Sequence, residues 1–319
     1  MDTKASCESR VSAVTSSLAT LAGICPTNVR GGGGHFRSDM DGAVPAMGRS
    51  GECIAYITRS LEHGCRLARL AALVASAGDR MVYVLHGRNH TPTGEAVAKL
   101  RPQKNVRLVR QPLVVPSSPW GLFGGKFVGY SKAAFVLWLL RSHTSCHRAW
   151  QIEDDVFFTG PWSALFNAYS ADESHIIAST IHHPSTSYFA HERTCFLNIT
   201  TRCRSAEDRS LTAVVWPLLR MSHAVASEIA RALTTQRAKG FHEALLAPLC
   251  ERAAWCSLSH LRPEHLGSMV AGHSSASKRK QATPFASPVL ARRAYHPAKC
   301  EADPGLGELA RTWLQQNST

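Results

Sequence analysis

Short apolar runs of strand length alternate with stretches of helical period in the first half of this chain. The first run, residues 53–58, precedes a segment at 66–77 in which Leu and Val recur every three or four residues. Further strand-length runs follow at 81–85, 106–109 and 149–152. Strands separated by amphipathic helices predict an α/β layer fold with a mainly parallel sheet.

Strands and helices are also predicted in the second half of the chain. Residues 181–210 are the exception, because they show no periodicity and are predicted to be loop. Ser131 and Ser222 each stand where a helix N-cap is expected. The remaining predicted elements are a strand at 175–179 and helices at 132–141, 162–169, 222–235, 241–254 and 306–315.

Composition limits the class of protein. The chain has 319 residues, of which 44% are hydrophobic and 18% charged, and this excludes a fully disordered, collagen-like or coiled-coil chain. The longest uncharged apolar run, residues 133–140, is far shorter than the roughly 20 residues that span a bilayer, so no transmembrane segment is expected. Residues 1–50 are rich in Ser, Ala, Thr and Gly and are predicted to form a disordered arm before a single domain at 51–315.

The net charge of +13 favours an anionic ligand, although a solvated Arg-rich surface explains it as well. Residues 96–152 contain no Asp or Glu, and neither do residues 265–300. The first of these zones ends at three consecutive acids, Glu153, Asp154 and Asp155. RNA-binding signatures and basic stripes interleaved with aromatic residues are missing from the sequence, so we expect no nucleic-acid partner.

The acidic triplet follows the fourth predicted strand, and in open α/β sheets ligands bind at the carboxyl ends of strands. Side chains alternate along extended backbone, so Glu153 and Asp155 should point one way and Asp154 the other. Two such carboxylates can bind one hard divalent cation, whose remaining coordination positions are open to water and phosphate oxygens. A helix cap or a solvated turn is the alternative interpretation.

Residues 149–160, AWQIEDDVFFTG, resemble the strand and acidic motif of nucleotide-diphospho-sugar transferases of the GT-A fold. They are particularly similar to glycosyltransferase-like proteins of algae and plants. Residues 54–86 resemble the first βαβ unit of such enzymes, and the segments GFHE at 240–243 and YHPAK at 295–299 follow in the same order. The resemblance covers roughly residues 52–300 and implies a GT-A-like domain that is Rossmann-like in its sheet.

This resemblance implies a nucleotide-sugar donor and a Mn²⁺ or Mg²⁺ ion held by Glu153 and Asp155. His296 is a candidate third ligand, since neutral imidazole binds metals, and a surface His-Pro turn is the alternative. Asp154 would contact the ribose or sugar of the donor, or only the backbone. The motif begins with Glu rather than Asp, and some members of the fold use basic side chains on the diphosphate instead of a metal. The candidates for that role are Lys126, Lys132 and Lys299.

Glu243 is the candidate general base, because an inverting transferase must remove a proton from the acceptor hydroxyl. An ordinary helix-start carboxylate, stabilised by the helix dipole, is the alternative. The implied activity is hexosyl or N-acetylhexosaminyl transfer to a glycan, protein or small-molecule hydroxyl, by inversion or retention. An inactive GT-A-like scaffold and a metal-dependent phosphoester hydrolase remain competing interpretations.

Cysteines and glycosylation sequons indicate in which cellular compartment a protein resides. Ten cysteines occur without a C-x-x-C motif, and the pairs Cys195/Cys203 and Cys250/Cys256 could each close a short disulfide loop. Sequons at Asn198 and Asn317 are compatible with a secretory lumen, although two are expected by chance in a chain of this length. The family resemblance implies a Golgi-lumen glycoprotein. The sequence shows no clear signal or anchor, so a truncated start, another delivery route and a cytosolic location all remain open.

Overall fold

The computed structural model describes the greater part of residues 51–296. The described residues are 51–61, 64–87, 92, 94–100, 102–115, 118–124, 131–142, 146–182, 213–235, 242–269 and 291–296. The predicted arm at 1–50, the predicted helix at 306–315, both sequons and the Cys195/Cys203 pair lie outside them.

Ten strands form two sheets. In chain order they are β1 Glu52–Thr58, β2 Met81–His86, β3 Val106–Arg110, β4 Arg148–Glu153, β5 Phe157–Phe158, β6 Ile176–His182, β7 Ala213–Ser222, β8 Leu258–His260, β9 Leu266–Met269 and β10 Ala294–His296. The large sheet has the order β3-β2-β1-β4-β7-β6-β8, in which only β7 runs antiparallel to its neighbours. The predicted α/β fold with a mainly parallel sheet is confirmed.

Helices cover both faces of the large sheet. They are α1 Gly64–Ala75, α2 Gly94–Leu100, α3 Pro119–Gly124, α4 Ser131–Arg141, α5 Trp162–Ala168, α6 His223–Thr234 and α7 His242–Arg252. One buried cluster joins α3, α4, α6 and α7 to one face, and a second joins α1, α2 and α5 to the other. None of the helices in the described part of the chain is long and apolar enough to cross a membrane.

Two helix boundaries follow from residues that the sequence marks. Gly78 has a φ of +71°, a conformation that favours glycine, in the turn just after α1. Ser222 is the N-cap of α6, and its Oγ accepts a hydrogen bond from the backbone N–H of Val225 at 3.3 Å. Local chemistry therefore sets both helix ends, and the cap at Ser222 is the expected one.

Strand β7 was not predicted. It contains Pro217, which cannot donate a ladder hydrogen bond, and the buried cation Arg220, so its sequence lacks the pattern of a central strand. Its pairing with β6 changes register between Ala178 and Thr180, where residues 216–218 face a single residue of β6. The irregularity accommodates the proline inside the sheet. Residues 181–182, predicted as loop, belong to β6.

A small sheet of order β5-β10-β9 stands beside the acidic triplet. Strand β10 pairs antiparallel with β5, so Tyr295 lies opposite Phe157. Gly267 in β9 is required by this packing, because an added Cβ would lie 2.4 Å from the ring of Tyr295. This pairing carries His296 to the end of β4 from far along the chain.

Disulfides join segments on the same face of the sheet. Cys53 of β1 is bonded to Cys146, just before the neighbouring strand β4, and Cys250 of α7 is bonded to Cys256. The second pair is one of the two short loops expected from spacing. Cys65 is also disulfide-bonded.

A buried ionic network lies at the edge of the sheet where β1 and β4 begin. Arg220 is 1% exposed, and its Nη1 lies 3.4 Å from Glu52. The guanidinium group of Arg220 also donates to the backbone carbonyls of Tyr169, Asp172 and Ser174. Glu52 in turn accepts from Arg80 Nε at 2.8 Å, so its buried carboxylate has two cationic partners.

Candidate functional site

The candidate site lies at the carboxyl end of β4, where the strand order reverses. From β1 the chain builds β2 and β3 on one side, and β4 then pairs on the other side of β1. A crevice forms at such a switch point, and ligands of open α/β sheets bind there. The acidic triplet follows directly from β4 into this position.

Glu153, Asp155 and His296 meet at this point. His296 Nε2 lies 3.3 Å from Asp155 Oδ1 and 3.7 Å from Glu153 Oε2. One potential ligand atom from each residue lies within 4.8 Å of the others, and all three side chains are partly exposed. Two carboxylates and one imidazole suit Mn²⁺ or Mg²⁺, and a ligand can reach them.

Asp154 points away from that cluster, as expected, although residues 154–155 form a turn and not the extended backbone on which that expectation was based. The backbone N–H of Val156 donates to the carbonyl of Glu153 at 3.0 Å and closes the turn. Its carboxylate accepts a hydrogen bond from Thr58 Oγ1 at 2.8 Å and lies 3.4 Å from Arg66 Nε. Arg69 donates to its backbone carbonyl at 3.2 Å. Burial, and then the charge of Asp155, raise the pKa of Asp154 to about 6. These contacts hold the turn against β1 and α1. A contact between Asp154 and the ribose of the donor stays a prediction.

Lys132 lies on the inner side of the cluster. It belongs to the first turn of α4 and is 3% exposed, and its ammonium group contacts Glu153 Oε1. The same group donates to the backbone carbonyl of Trp216 at 3.3 Å, a carbonyl that also accepts from Gln151 Nε2 at 2.6 Å. Lys132 thus contacts the protein itself, while Lys126 and Lys299 lie outside the described residues.

Glu243 is half-buried in the first turn of α7. The preceding residue, His242, is buried, and its ring lies 5.1 Å from that of Trp216. Because the carbonyl of Trp216 binds Lys132, and Lys132 contacts Glu153, a continuous set of contacts leads from the start of α7 to the acidic cluster. The role of Glu243 as a base stays a prediction.

His242 should make the chain less stable in acid. Burial, and then the charge of Lys132, hold its pKa well below the ordinary value, so the folded chain keeps it neutral with Nδ1 donating to the carbonyl of Phe123. The unfolded chain binds this proton below about pH 6.5, so unfolding is increasingly favoured as the pH falls.

The expected contribution of this one proton is at most about 1.4 kcal/mol per pH unit below that value. Urea unfolding at several values between pH 5 and 8 measures it, with His242→Gln as the comparison because its amide can also donate to the Phe123 carbonyl. The two curves should separate as the pH falls, and parallel curves would show that the folded chain binds this proton as readily as the unfolded chain does.

Several residues of the site gave no sequence signal. Arg66 and Arg69 appear in the sequence as ordinary members of an amphipathic helix, yet both reach Asp154. Gln151 lies inside an apolar strand, and Trp216 contributes a backbone atom, which no side-chain pattern reveals. The one available signal was Gln151, a polar residue in the otherwise apolar run 149–152, which indicates a buried hydrogen bond.

No protein-family model and no curated protein sequence matches the chain. A solved structure of the galactosyltransferase LgtC with donor and acceptor sugar analogues is similar over 82% of this chain and 95% of that one, with 12% identity and a TM-score of 0.47. Mouse xyloside xylosyltransferase 1 is similar over 79% and 99%, with 9% identity and a TM-score of 0.42.

A third similar structure is a 4-diphosphocytidyl-2C-methyl-D-erythritol synthase from Anaerococcus prevotii, with 8% identity over 67% of this chain and 88% of that one and a TM-score of 0.38. The first two are sugar transferases, the class that the sequence resembles. Because all three TM-scores lie below 0.5, the fold of this chain rests on its own strand order and its chemistry on its own residues.

Proposed function

We propose that this chain is a glycosyltransferase that moves a sugar from a nucleotide-sugar donor to a hydroxyl acceptor with the help of a divalent cation. The observation that carries the proposal is the meeting of Glu153, Asp155 and His296 at the carboxyl end of β4, beside the switch point of the sheet. A crevice there suits a nucleotide, and the ligand set suits a cation that binds phosphate oxygens.

In this proposal Glu153, Asp155 and His296 hold Mn²⁺ or Mg²⁺. When bound, the cation neutralises the donor diphosphate, which makes the nucleoside diphosphate a better leaving group. The bond between the anomeric carbon and the phosphate oxygen breaks, and a bond from the anomeric carbon to the acceptor oxygen forms. Asp154, held by Thr58 and Arg66, keeps the turn that carries both acids fixed against β1.

Glu243 is the proposed base of an inverting transfer, which takes the acceptor proton as the new bond forms. The transferred group would be a hexosyl or N-acetylhexosaminyl unit, and the acceptor a glycan, protein or small molecule. The sequence resemblance supports this class of donor, and the contacts that link the start of α7 to the cluster support the position of the base.

A screen of UDP- and GDP-sugars, with and without Mn²⁺, tests the function. We expect a donor together with Mn²⁺ to raise the unfolding temperature and to release nucleoside diphosphate. Donor binding without release would favour an inactive scaffold. Release of phosphate from simple phosphomonoesters, with no response to nucleotide-sugars, would favour a hydrolase and contradict the proposal.

Asp155→Asn should weaken Mn²⁺ binding at least about 100-fold, since loss of even a supporting group costs a metal site 10- to 100-fold. The amide keeps the shape of the side chain and removes the charge that faces His296 Nε2. Mn²⁺ titration followed by electron paramagnetic resonance measures the change without any turnover. Metal-dependent donor binding should weaken with it.

Asp79→Asn is the matched control, because Asp79 is an exposed acid in the turn before β2, at the other edge of the sheet. It should bind Mn²⁺ as the unaltered protein does. An Asp155→Asn protein with unchanged Mn²⁺ affinity would remove Asp155 from the metal site.

An oxidising compartment is part of the proposal. Disulfides at Cys53–Cys146 and Cys250–Cys256, with Cys65 bonded as well, suit the secretory pathway and are rare in cytosolic proteins. The Golgi lumen, where nucleotide-sugars are consumed in glycan synthesis, is the location we propose. The disulfides favour an oxidising lumen of this kind over the cytosol.

A further inference from the structure

Lys132 is a buried cation inside the proposed metal site. A lysine in the first turn of a helix ordinarily extends into water, but this side chain is only 3% exposed. Burial of an ammonium group is unfavourable unless anions and acceptors surround it. Here the carboxylate of Glu153 and the carbonyl of Trp216 supply that environment.

The two carboxylate oxygens of Glu153 have different neighbours, Lys132 on one side and the other candidate metal ligands on the other. Its Oε1 contacts the ammonium group, while its Oε2 lies 3.7 Å from His296 Nε2. The backbone of Glu153 is set by strand pairing, since it lies opposite Ile57 of β1. The sheet therefore sets the backbone position of Glu153, and Lys132 places a positive charge beside its carboxylate.

That charge changes the electrostatics of the cluster. Two carboxylates and a neutral imidazole would carry two negative charges, and Lys132 lowers the net charge to one. The affinity of oxygen-rich sites for divalent cations depends on the number of ligand charges. A positive charge within a few ångströms, in a partly buried place, also repels the cation directly.

We propose that Lys132 is a built-in counter-ion of the metal site, which keeps the affinity for a free divalent cation low. The negative charge needed for tight binding is then completed by the diphosphate of the donor. The cation binds firmly only with the nucleotide and leaves with the nucleoside diphosphate product. This inference rests on the metal-assisted transfer proposed above and assigns Lys132 a part in regulating occupancy of that site.

Titration of the intact protein with Mn²⁺ alone, in the absence of nucleotide, tests the inference. Lys132→Met and Lys132→Gln both remove the charge, and Gln can still donate to Glu153 and to the Trp216 carbonyl. Both variants should bind Mn²⁺ about 10- to 100-fold more tightly than the unaltered protein. Lys132→Arg retains the charge, so the folded variant should not bind Mn²⁺ more tightly than the unaltered protein.

Arg148→Met is the control for loss of a distant charge. Arg148 is the first residue of β4 and Glu153 the last, so the two positions are about 16 Å apart along the strand. Its Mn²⁺ affinity should match that of the unaltered protein. Thermal unfolding shows which variants are folded. If only one of Lys132→Met and Lys132→Gln folds, its Mn²⁺ affinity alone tests the counter-ion proposal.

Equal or weaker Mn²⁺ binding by the folded neutral variants would overturn the inference and leave Lys132 as a group that positions Glu153. If Asp155→Asn still abolished binding in that case, the metal site itself would stand. Failure of all the proteins to bind Mn²⁺ would remove both the site and the counter-ion. The nucleotide-sugar screen, which also includes reactions without metal, decides separately whether the chain transfers sugars.

Discussion

Glu243→Gln is expected to slow sugar transfer by roughly 100- to 10,000-fold, the range over which general base catalysis acts. The change keeps the size and the hydrogen-bonding atoms of the side chain and removes its basicity. Glu243 is half-buried in the first turn of α7, next to His242, whose ring packs edge-to-face against Trp216. Initial rates with saturating donor and acceptor measure the effect.

Donor affinity should barely change in this variant, because a base contacts the acceptor rather than the nucleotide. Glu251→Gln is the matched control, since Glu251 lies on the same helix and is exposed. It should leave the rate unaltered. Normal turnover in Glu243→Gln would end the assignment as a base, and weakened donor binding would move the residue to the donor side of the crevice.

Arg220→Met is expected to lower the free energy of unfolding by about 3–5 kcal/mol, the usual result of removing one partner from a buried ion pair. The carboxylate of Glu52 would keep Arg80 but lose its second cation. The carbonyls of Tyr169 and Ser174 would lose a buried donor as well. Urea unfolding with the disulfides intact measures the loss.

Arg231→Met provides the comparison on the surface. Arg231 is 54% exposed and pairs with Glu228 one turn earlier in α6, and such pairs contribute about 1 kcal/mol or less. The two variants remove the same chemical group and differ in burial. A loss below about 1 kcal/mol for Arg220→Met would show that water or neighbouring groups replace the buried contacts.

The parts of the fold that sequence predicts are those determined by neighbouring residues. Strands β1, β2 and β4 are continuous apolar runs, and α1 carries its apolar residues on one face, so each is visible in a short window. The α/β prediction is confirmed on that basis. The structure also directs Asp154 away from Glu153 and Asp155, as predicted. Residues 154–155 lie in a turn, however, so these directions are not set by the extended backbone that the sequence suggested.

What sequence did not predict depends on distant residues. The burial of Lys132 requires both Glu153 and Trp216, which lie far along the chain. Cys53 pairs with Cys146 because β1 and β4 are neighbours in the sheet, which spacing cannot reveal. Strand β7 is held in place by pairing on both sides, in spite of Pro217.

The pairing of β10 with β5 makes completion of the site depend on the order of protein synthesis. Glu153 and Asp155 leave the ribosome long before His296 has been added to the chain. A nascent chain therefore carries two of the three cation-binding residues when the first four parallel strands have already been synthesised. Cleavage anywhere between β9 and β10 would separate His296 covalently from the acids while leaving every residue of the large sheet in one piece. The candidate cation site is thus completed by the last strand that the structure describes.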